Sequence, residues 1–422
     1  MHRAPKSAIA GAIALGLAFA PAIACAASEQ ALSADAFVES IGINTHLGYT
    51  NTAYYQRFPE VQRALLDLGV RHIRDTVDPR TGDAVVARMR ALNGAGIRLL
   101  LLTDLTTTPQ SLSATVGRLG GAVEAVEPPN ELDLSHDANW IADARATTHA
   151  LAADVRGSAD MRGLTILGPS LTRRESYASV GDLSGDIDFG NLHNYPSGRP
   201  PGFRGYGPQH NASIGGFIRE ASTVHGSHRV YSTETGYCTN DRPWSTPAAI
   251  NGVYEPRMFL EQFMAGVART YQYQFADYGS GQFSQCGLLT ADLQPRPAYS
   301  ALRGLIETLG DRGPAFRPGM LDYELGGDVT DVDHLLLQKR DGTTYLLLWI
   351  EQSGYDTAKQ SAIAIAPRHI RLTVRTPLRG ASIATFDDDG HLQTRALDAR
   401  GENAELTISD HVSIVRLPAE RR

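Results

Sequence analysis

The segment Ala122-Val-Glu-Ala-Val-Glu-Pro-Pro-Asn-Glu-Leu-Asp133 begins as an apolar, β-rich run and ends in a proline pair followed by polar residues. A strand that stops this abruptly at a polar exit is how a parallel barrel presents side chains at one rim. Working outward, similar runs recur at 37–46, 70–77, 97–104, 164–169, 187–193, 229–234 and 271–277, which makes 122–128 the fourth of eight. Amphipathic stretches between them predict helices over 59–68, 84–93, 138–155, 257–270 and 297–309. Gly69 closes the first as a helix stop, and Gly94 and Gly96 close the second. Eight strand–helix units in about 280 residues match a (β/α)8 TIM barrel in size. The rival, a doubly wound sheet, usually has a glycine-rich phosphate turn after its first strand, and Gly42-Ile-Asn-Thr-His46 is not one.

From Gly313-Pro314 the pattern changes. Strands at 333–339, 344–350, 369–375, 382–386, 405–408 and 412–417 dominate, and Asp341-Gly342, Arg379-Gly380 and Asp389-Gly390 mark turns. This is the pattern of an antiparallel β-sandwich. The expected plan is a signal peptide over 1–27, a catalytic barrel over 28–313 and a sandwich over 314–422. The leader reading rests on His2, Arg3 and Lys6, an apolar run over 8–20, and the small-residue stretch Pro21-Ala-Ile-Ala-Cys-Ala-Ala27. It implies a secreted or periplasmic protein. Anchoring through an acylated Cys25 is the lesser alternative, because Ala22 stands where a larger aliphatic residue is usual. No later segment is long and apolar enough for a membrane span.

Hydrophobic residues make up 42% of the chain and charged residues 20%, enough for a sizeable core. The net charge of −7 comes with no run of like charges. A nucleic acid or an anionic membrane would want a basic face, so neither is an expected partner. The histidines are scattered, no His/Cys spacing matches a zinc set, and no metal or cofactor is expected. Gly168-Pro-Ser170 lacks the second glycine of a serine nucleophile elbow. The strand ends carry Asn44-Thr-His46-Leu-Gly-Tyr49, Arg74, Asn130-Glu131, Asn191-Leu-His193-Asn-Tyr195, Glu234-Thr-Gly-Tyr237 and Asp277-Tyr278. Such a rim suits an oligo- or polysaccharide: carboxylates for chemistry, amides and imidazoles for hydroxyls, rings for sugar faces. Two carboxylates on opposing strands can cleave a glycosidic bond, one protonating the leaving oxygen and the other attacking the anomeric carbon. The acid must keep its proton near neutral pH, which a neighbouring carboxylate and burial both favour.

These residues resemble clan A of the retaining glycoside hydrolases, and the likeness runs along the whole barrel. A barrel followed by a β-sandwich is most similar to family 39, with families 5, 30, 51 and 79 sharing parts of the plan. The resemblance implies that Glu131 is the acid/base and Glu234 the nucleophile. It implies that Arg74 orients the nucleophile, that Asn130 binds the hydroxyl beside the anomeric carbon, and that His193 and Tyr195 flank the cleaved sugar. The stretch Gly287–Tyr299 looks like the tail of these barrels, where a turn and a proline lead into the last helix. One departure stands out: the clan often has Trp at the end of strand eight, and 271–278 has none, leaving Phe275 or Tyr278 to replace it.

Each residue also has a plainer reading. Glu131 fits a helix N-terminal carboxylate, Glu234 a structural acid paired with Arg74, and Asn130 an Asx turn. His193, Tyr195 and His46 fit core positions as well as site positions. Stacking candidates are Tyr49, Tyr237, Trp244, Tyr254 and Tyr278, with Tyr237, Trp244 and Tyr278 carried forward together with His46 as substrate-binding. Cys238 follows strand seven and Cys286 lies in the loop after strand eight, so in an oxidising compartment the pair predicts a disulfide on the active rim. Two free thiols are the alternative. The functional expectation is a secreted retaining glycosidase. A non-catalytic carbohydrate-binding barrel and a transglycosylase using the same residues stay open.

Overall fold

The computed structural model describes residues 25–76, 81–205, 213–279, 281 and 283–419; residues 1–24 of the expected leader lie outside the described residues. Eight strands run parallel: Ile41–Asn44, His72–Thr76, Arg98–Leu102, Val123–Glu127, Thr165–Ile166, Gly190–His193, Val230–Thr235 and Arg269–Gln272. They pair in the order five-four-three-two-one-eight-seven-six, and a parallel bridge between Leu167 and Phe189 joins five to six. With helices between the strands, this is a (β/α)8 barrel.

The barrel interior is layered. Leu100, Ala125, Leu167, Tyr231 and Tyr271 pack together from five strands. Gly42 makes room for this layer, because a Cβ there would stand 2.4 Å from the Tyr271 ring. Two residues further along strands one, four and seven the interior turns polar, since alternate residues share a face. Glu127 follows Ala125 and Thr233 follows Tyr231, and they meet Asn44, Arg74, Asn191 and His193 in a buried layer. Strand seven carries a bulge: its pairing with strand six skips a residue between Leu192 and His193, and its pairing with strand eight shifts between Thr270 and Gln272. Thr233 and Glu234, though adjacent, therefore both reach the same site, which a regular strand forbids.

Two expected elements shift. Strand one begins only at Ile41, because Ser33 caps a short helix, Ala34–Glu39, by accepting from the Ala36 N–H. The helix expected over 257–270 is Ala248–Met264, with Pro256 inside it. Pro256 lacks the N–H that would bond the Gly252 carbonyl. The helix persists because residues 251–260 are all buried, so tertiary packing outweighs the local defect.

Two further sheets, of five and six strands and antiparallel except for one parallel pair, pack as a β-sandwich. Both sheets take a strand from the N-terminal side. Cys25–Gln30 pairs with Met320–Gly327, and Leu32–Ser33 pairs with Val332–Gln338. Residues 25–27, read from sequence as the end of the leader, thus lie in a sheet. Thr344–Ile350 is buried throughout. Its Leu346, Leu348 and Ile350 face the sandwich core, while Tyr345, Leu347 and Trp349 join the barrel's outer core. No helix among the described residues is long and apolar enough to cross a membrane.

Charge also crosses the junction. Arg257, fully buried on the 248–264 helix, donates through Nε and Nη2 to Glu351 Oε2 at 2.9 and 2.6 Å. Glu351 Oε1 accepts the Gly202 N–H at 2.8 Å, so one sandwich carboxylate holds a barrel helix and a barrel loop. On the same helix Glu255 is buried with one weak donor, the Tyr237 N–H at 3.3 Å, and burial pushes its carboxyl up to about 8.

Glu351→Ala strands a buried guanidinium, and urea unfolding should record a loss of about 3–5 kcal/mol. Glu255 prefers its proton when folded, so its contribution to stability is present below pH 4.5 and is lost as pH rises through 8. Glu255→Gln does not titrate; its melting temperature should climb relative to wild type across that window and level off above it. A gap independent of pH would contradict the buried acid.

Candidate active site

Arg74 sits at the centre of the polar layer. Its Nε and Nη2 donate to the two oxygens of Glu127 at 2.8 and 2.9 Å. Nη1 donates to Asn44 Oδ1 at 3.0 Å and to Glu234 Oε1 at 2.7 Å, and Nη2 also reaches Asn130 Oδ1 at 2.7 Å. Burial opposes its charge most strongly, but the charges of Glu127 and Glu234 outweigh that and raise its pKa. Because a guanidinium only donates, the Asn130 oxygen faces Arg74 and its amide nitrogen is turned away from it. Asn44 is itself fixed, donating to the Thr233 carbonyl at 2.9 Å.

Glu234 accepts on both oxygens, from Arg74 and from the Tyr195 hydroxyl at 2.8 Å. Glu131 leaves strand four in the left-handed region, φ 46°, a conformation that costs a non-glycine residue about 1–3 kcal/mol and clusters at functional sites. Its loop is held by Asp133, which accepts from the Thr172 and Arg173 N–H groups at 3.0 and 2.9 Å. Glu131 Oε1 meets His193 Nδ1 at 2.6 Å. The other ring nitrogen, Nε2, lies 3.0 Å from the Thr233 hydroxyl. That hydroxyl has acceptors at Asn191 Oδ1 (2.7 Å) and Glu127 Oε1 (3.2 Å), so it gives its proton there and accepts from Nε2–H. Nδ1 and Glu131 therefore hold one proton between them. Burial is the strongest influence on His193 and lowers its pKa, but the charge of Glu234 and the bond to Glu131 prevail and raise it.

Oxygens of Glu131 and Glu234 and a nitrogen of His193 lie within 4.8 Å of one another. Arg74 stands beside them and already donates to Glu234, which disfavours a metal cation there. A second acidic group, Glu261, Asp333 and Glu351, meets the same spacing at the sandwich junction. Arg257 occupies Glu351, and burial together with the Glu351 charge raises the Glu261 pKa well above the carboxylate range. A cavity of about 670 Å³ opens at that junction, lined by Phe203, Arg204, Gln352 and Tyr355 among others, and includes none of the catalytic candidates.

Arg74, Asn130, Glu131, His193, Tyr195 and Glu234 thus form one network. His46 and Tyr278 stand in an adjoining ring wall. Tyr49, 43% exposed, stacks on His46 at 4.5 Å between centroids, and Tyr278 and Tyr273 meet the His46 ring edge-on. Burial, the largest effect, with Arg74's charge brings His46 down to about 4 despite Glu234. Two expectations are corrected. Tyr237 is buried, its hydroxyl donating to the Arg199 carbonyl, because its ring packs on Tyr254 behind strand seven. Phe275 is fully buried in the core beside Tyr299, so it cannot replace the absent tryptophan. Tyr273 stands on the site side instead, its hydroxyl 2.9 Å from that of Tyr278. Trp244 stacks on Phe283. Sequence reading missed Glu127, Asp133, Thr233, Tyr273 and Phe283; only the period-two spacing of Glu127 after Ala125 could have flagged the first. Cys238 and Cys286 are joined as a disulfide.

No protein-family model and no curated protein sequence matches the chain. Solved structures do share its fold. A family 39 glycoside hydrolase from the gut symbiont Bacteroides cellulosilyticus WH2 superposes with a TM-score of 0.60 at 14% identity, over 90% of this chain and 82% of that one. The catalytic domain of a family 30 xylanase C from Talaromyces cellulolyticus superposes with a TM-score of 0.57 at 11% identity, over 94% and 98%. The chain therefore shares the barrel-plus-sandwich fold of these two glycoside hydrolases.

Proposed function

We propose that the chain is a secreted retaining glycoside hydrolase acting on a β-linked oligo- or polysaccharide. The observation that carries this is the pair Glu131 and Glu234, with oxygens within 4.8 Å of each other. That is near the ~5–5.5 Å of retaining enzymes and short of the ~6.5–9.5 Å that inverting ones leave for water. Their partners differ in the needed way: Glu234 only accepts, while Glu131 shares a proton with His193.

Glu234 attacks the anomeric carbon as Glu131 passes its proton to the departing oxygen. The glycosidic C–O bond breaks and a glycosyl ester to Glu234 forms. Glu131, now a carboxylate facing His193, takes a proton from water; the water oxygen attacks the same carbon and frees Glu234. Arg74 and Tyr195 hold the nucleophile in place, and the amide nitrogen of Asn130, turned away from Arg74, donates to the neighbouring sugar hydroxyl. The basic start and apolar run over 8–20, with the Cys238–Cys286 bridge, support an oxidising compartment. The two barrels of like fold are glycosidases by name, one a xylanase, in keeping with a sugar substrate.

Turnover of aryl β-glycosides by wild type and variants tests the reading. Glu234→Ala should fall to background. Glu131→Ala should lose about 10²–10⁴-fold on poor leaving groups, less on activated ones, and regain rate with azide. The first product anomer seen by NMR should keep the substrate's configuration; full activity in Glu234→Ala, or inversion, ends the mechanism. Glu127 is fully buried and fixes Arg74 from behind. Glu127→Gln should lower kcat by about 10²-fold with KM nearly unchanged; a pure KM effect would contradict that role.

A further inference from the structure

Among the described residues, two aromatic side chains appear with the exposed large apolar groups: Tyr49 and Phe283. Both stand on the catalytic rim. Tyr49 belongs to the His46 wall after strand one, whereas Phe283 lies in the loop after strand eight, on the side of Tyr195. The residue is 44% exposed, its ring tilted toward Tyr195 with centroids 6.3 Å apart and stacked on Trp244 at 5.4 Å and 27°. Since Tyr195 donates to Glu234, a run of rings leads outward from that carboxylate: Tyr195, Phe283, Trp244.

The loops bearing the outer two rings are tied together. The Cys238–Cys286 bridge joins their bases, and the Thr239 N–H donates to the Gln285 carbonyl at 2.9 Å. Such a clamp lowers the ordering cost when a ligand lands on the rings. Beside them is a cavity of about 350 Å³ lined by Asn240, Asp241, Arg242, Gly281 and Gln285. One acid and one base balance there, and the amides suit hydroxyl groups.

We infer that Phe283, backed by Trp244, is the floor of a second sugar subsite, which takes a neutral unit adjoining the one attacked. The exposed ring face is what the C–H face of a sugar stacks on, and the polar cavity edge meets its hydroxyls. The His46 wall and the separate run from Tyr195 to Phe283 make the site one for at least two linked sugars. This rests on reading the rim as a saccharide site.

The probes are xylotetraose, cellotetraose and laminaritetraose, with p-nitrophenyl β-xyloside and β-glucoside. In wild type, at least one tetrasaccharide should quench tryptophan fluorescence, and Trp244→Phe should abolish the quench. Phe283→Ala should weaken that binding about tenfold. It should also lose about tenfold more kcat/KM on the tetrasaccharide than on the aryl monoglycoside, with Phe283→Tyr restoring most of the difference. No quench by any tetrasaccharide, or equal losses on both substrate types, overturns the subsite. Quenching without turnover of any probe would keep the subsite and sink the hydrolase reading instead.

Discussion

Arg74 carries a full positive charge where water hardly reaches, and its five hydrogen bonds decide where two glutamates stand. A buried guanidinium is tolerable only with close anionic partners, since desolvation costs several kcal/mol per ion. Glu127 supplies the first of them, buried and bidentate, so that it faces Arg74 from one side only. The remaining nitrogen edge is then free to grip Glu234 and Asn130 together. The charge of the site is thus set in its floor: one cation serves two carboxylates, and the less buried one, Glu234, is left at the rim in an orientation it cannot easily leave.

The same layer explains why the two glutamates differ. Glu234 has a cation and a phenol for neighbours, both donors. Glu131 has an imidazole whose far nitrogen is committed to Thr233. Thr233 is a hinge between the two halves, because it also touches Glu127, the partner of Arg74. Its position depends on the strand-seven bulge, which brings two successive side chains into the barrel mouth. Without that extra residue in the register, either Thr233 or Glu234 would face the helices.

The barrel was legible because each strand is a short apolar run ended by polar residues, and eight such runs order themselves. The sandwich strands were legible by their turns. Glu131, Glu234, Arg74 and His193 were readable as a set because they fall at strand ends, where a barrel gathers side chains. What escaped had physical reasons. The 248–264 helix is held by burial that overrides Pro256, and no local pattern announces that. Tyr237 and Phe283 look alike in sequence as loop aromatics; one packs behind strand seven and the other stays at the surface, a choice made by tertiary contacts. Glu127 reads as part of an apolar strand until its partner, fifty-three positions away, is known.

The sandwich bears on the site as well. Gly202 follows Tyr195 in the strand-six loop and donates to Glu351, while Gly198 is pressed so close to the Thr357 side chain and the Trp244 carbonyl that a Cβ would lie 2.6 and 2.8 Å from them. A loop fixed at both of these points cannot shift the Tyr195 hydroxyl freely. The sandwich therefore acts on Glu234 through Tyr195, at a distance, by limiting where one loop can go. Since Glu351 also neutralises Arg257, the contact that holds the two parts of the molecule together is the one that steadies the second hydrogen bond of Glu234. Stability of the junction and geometry of the rim are the same constraint seen from its two ends.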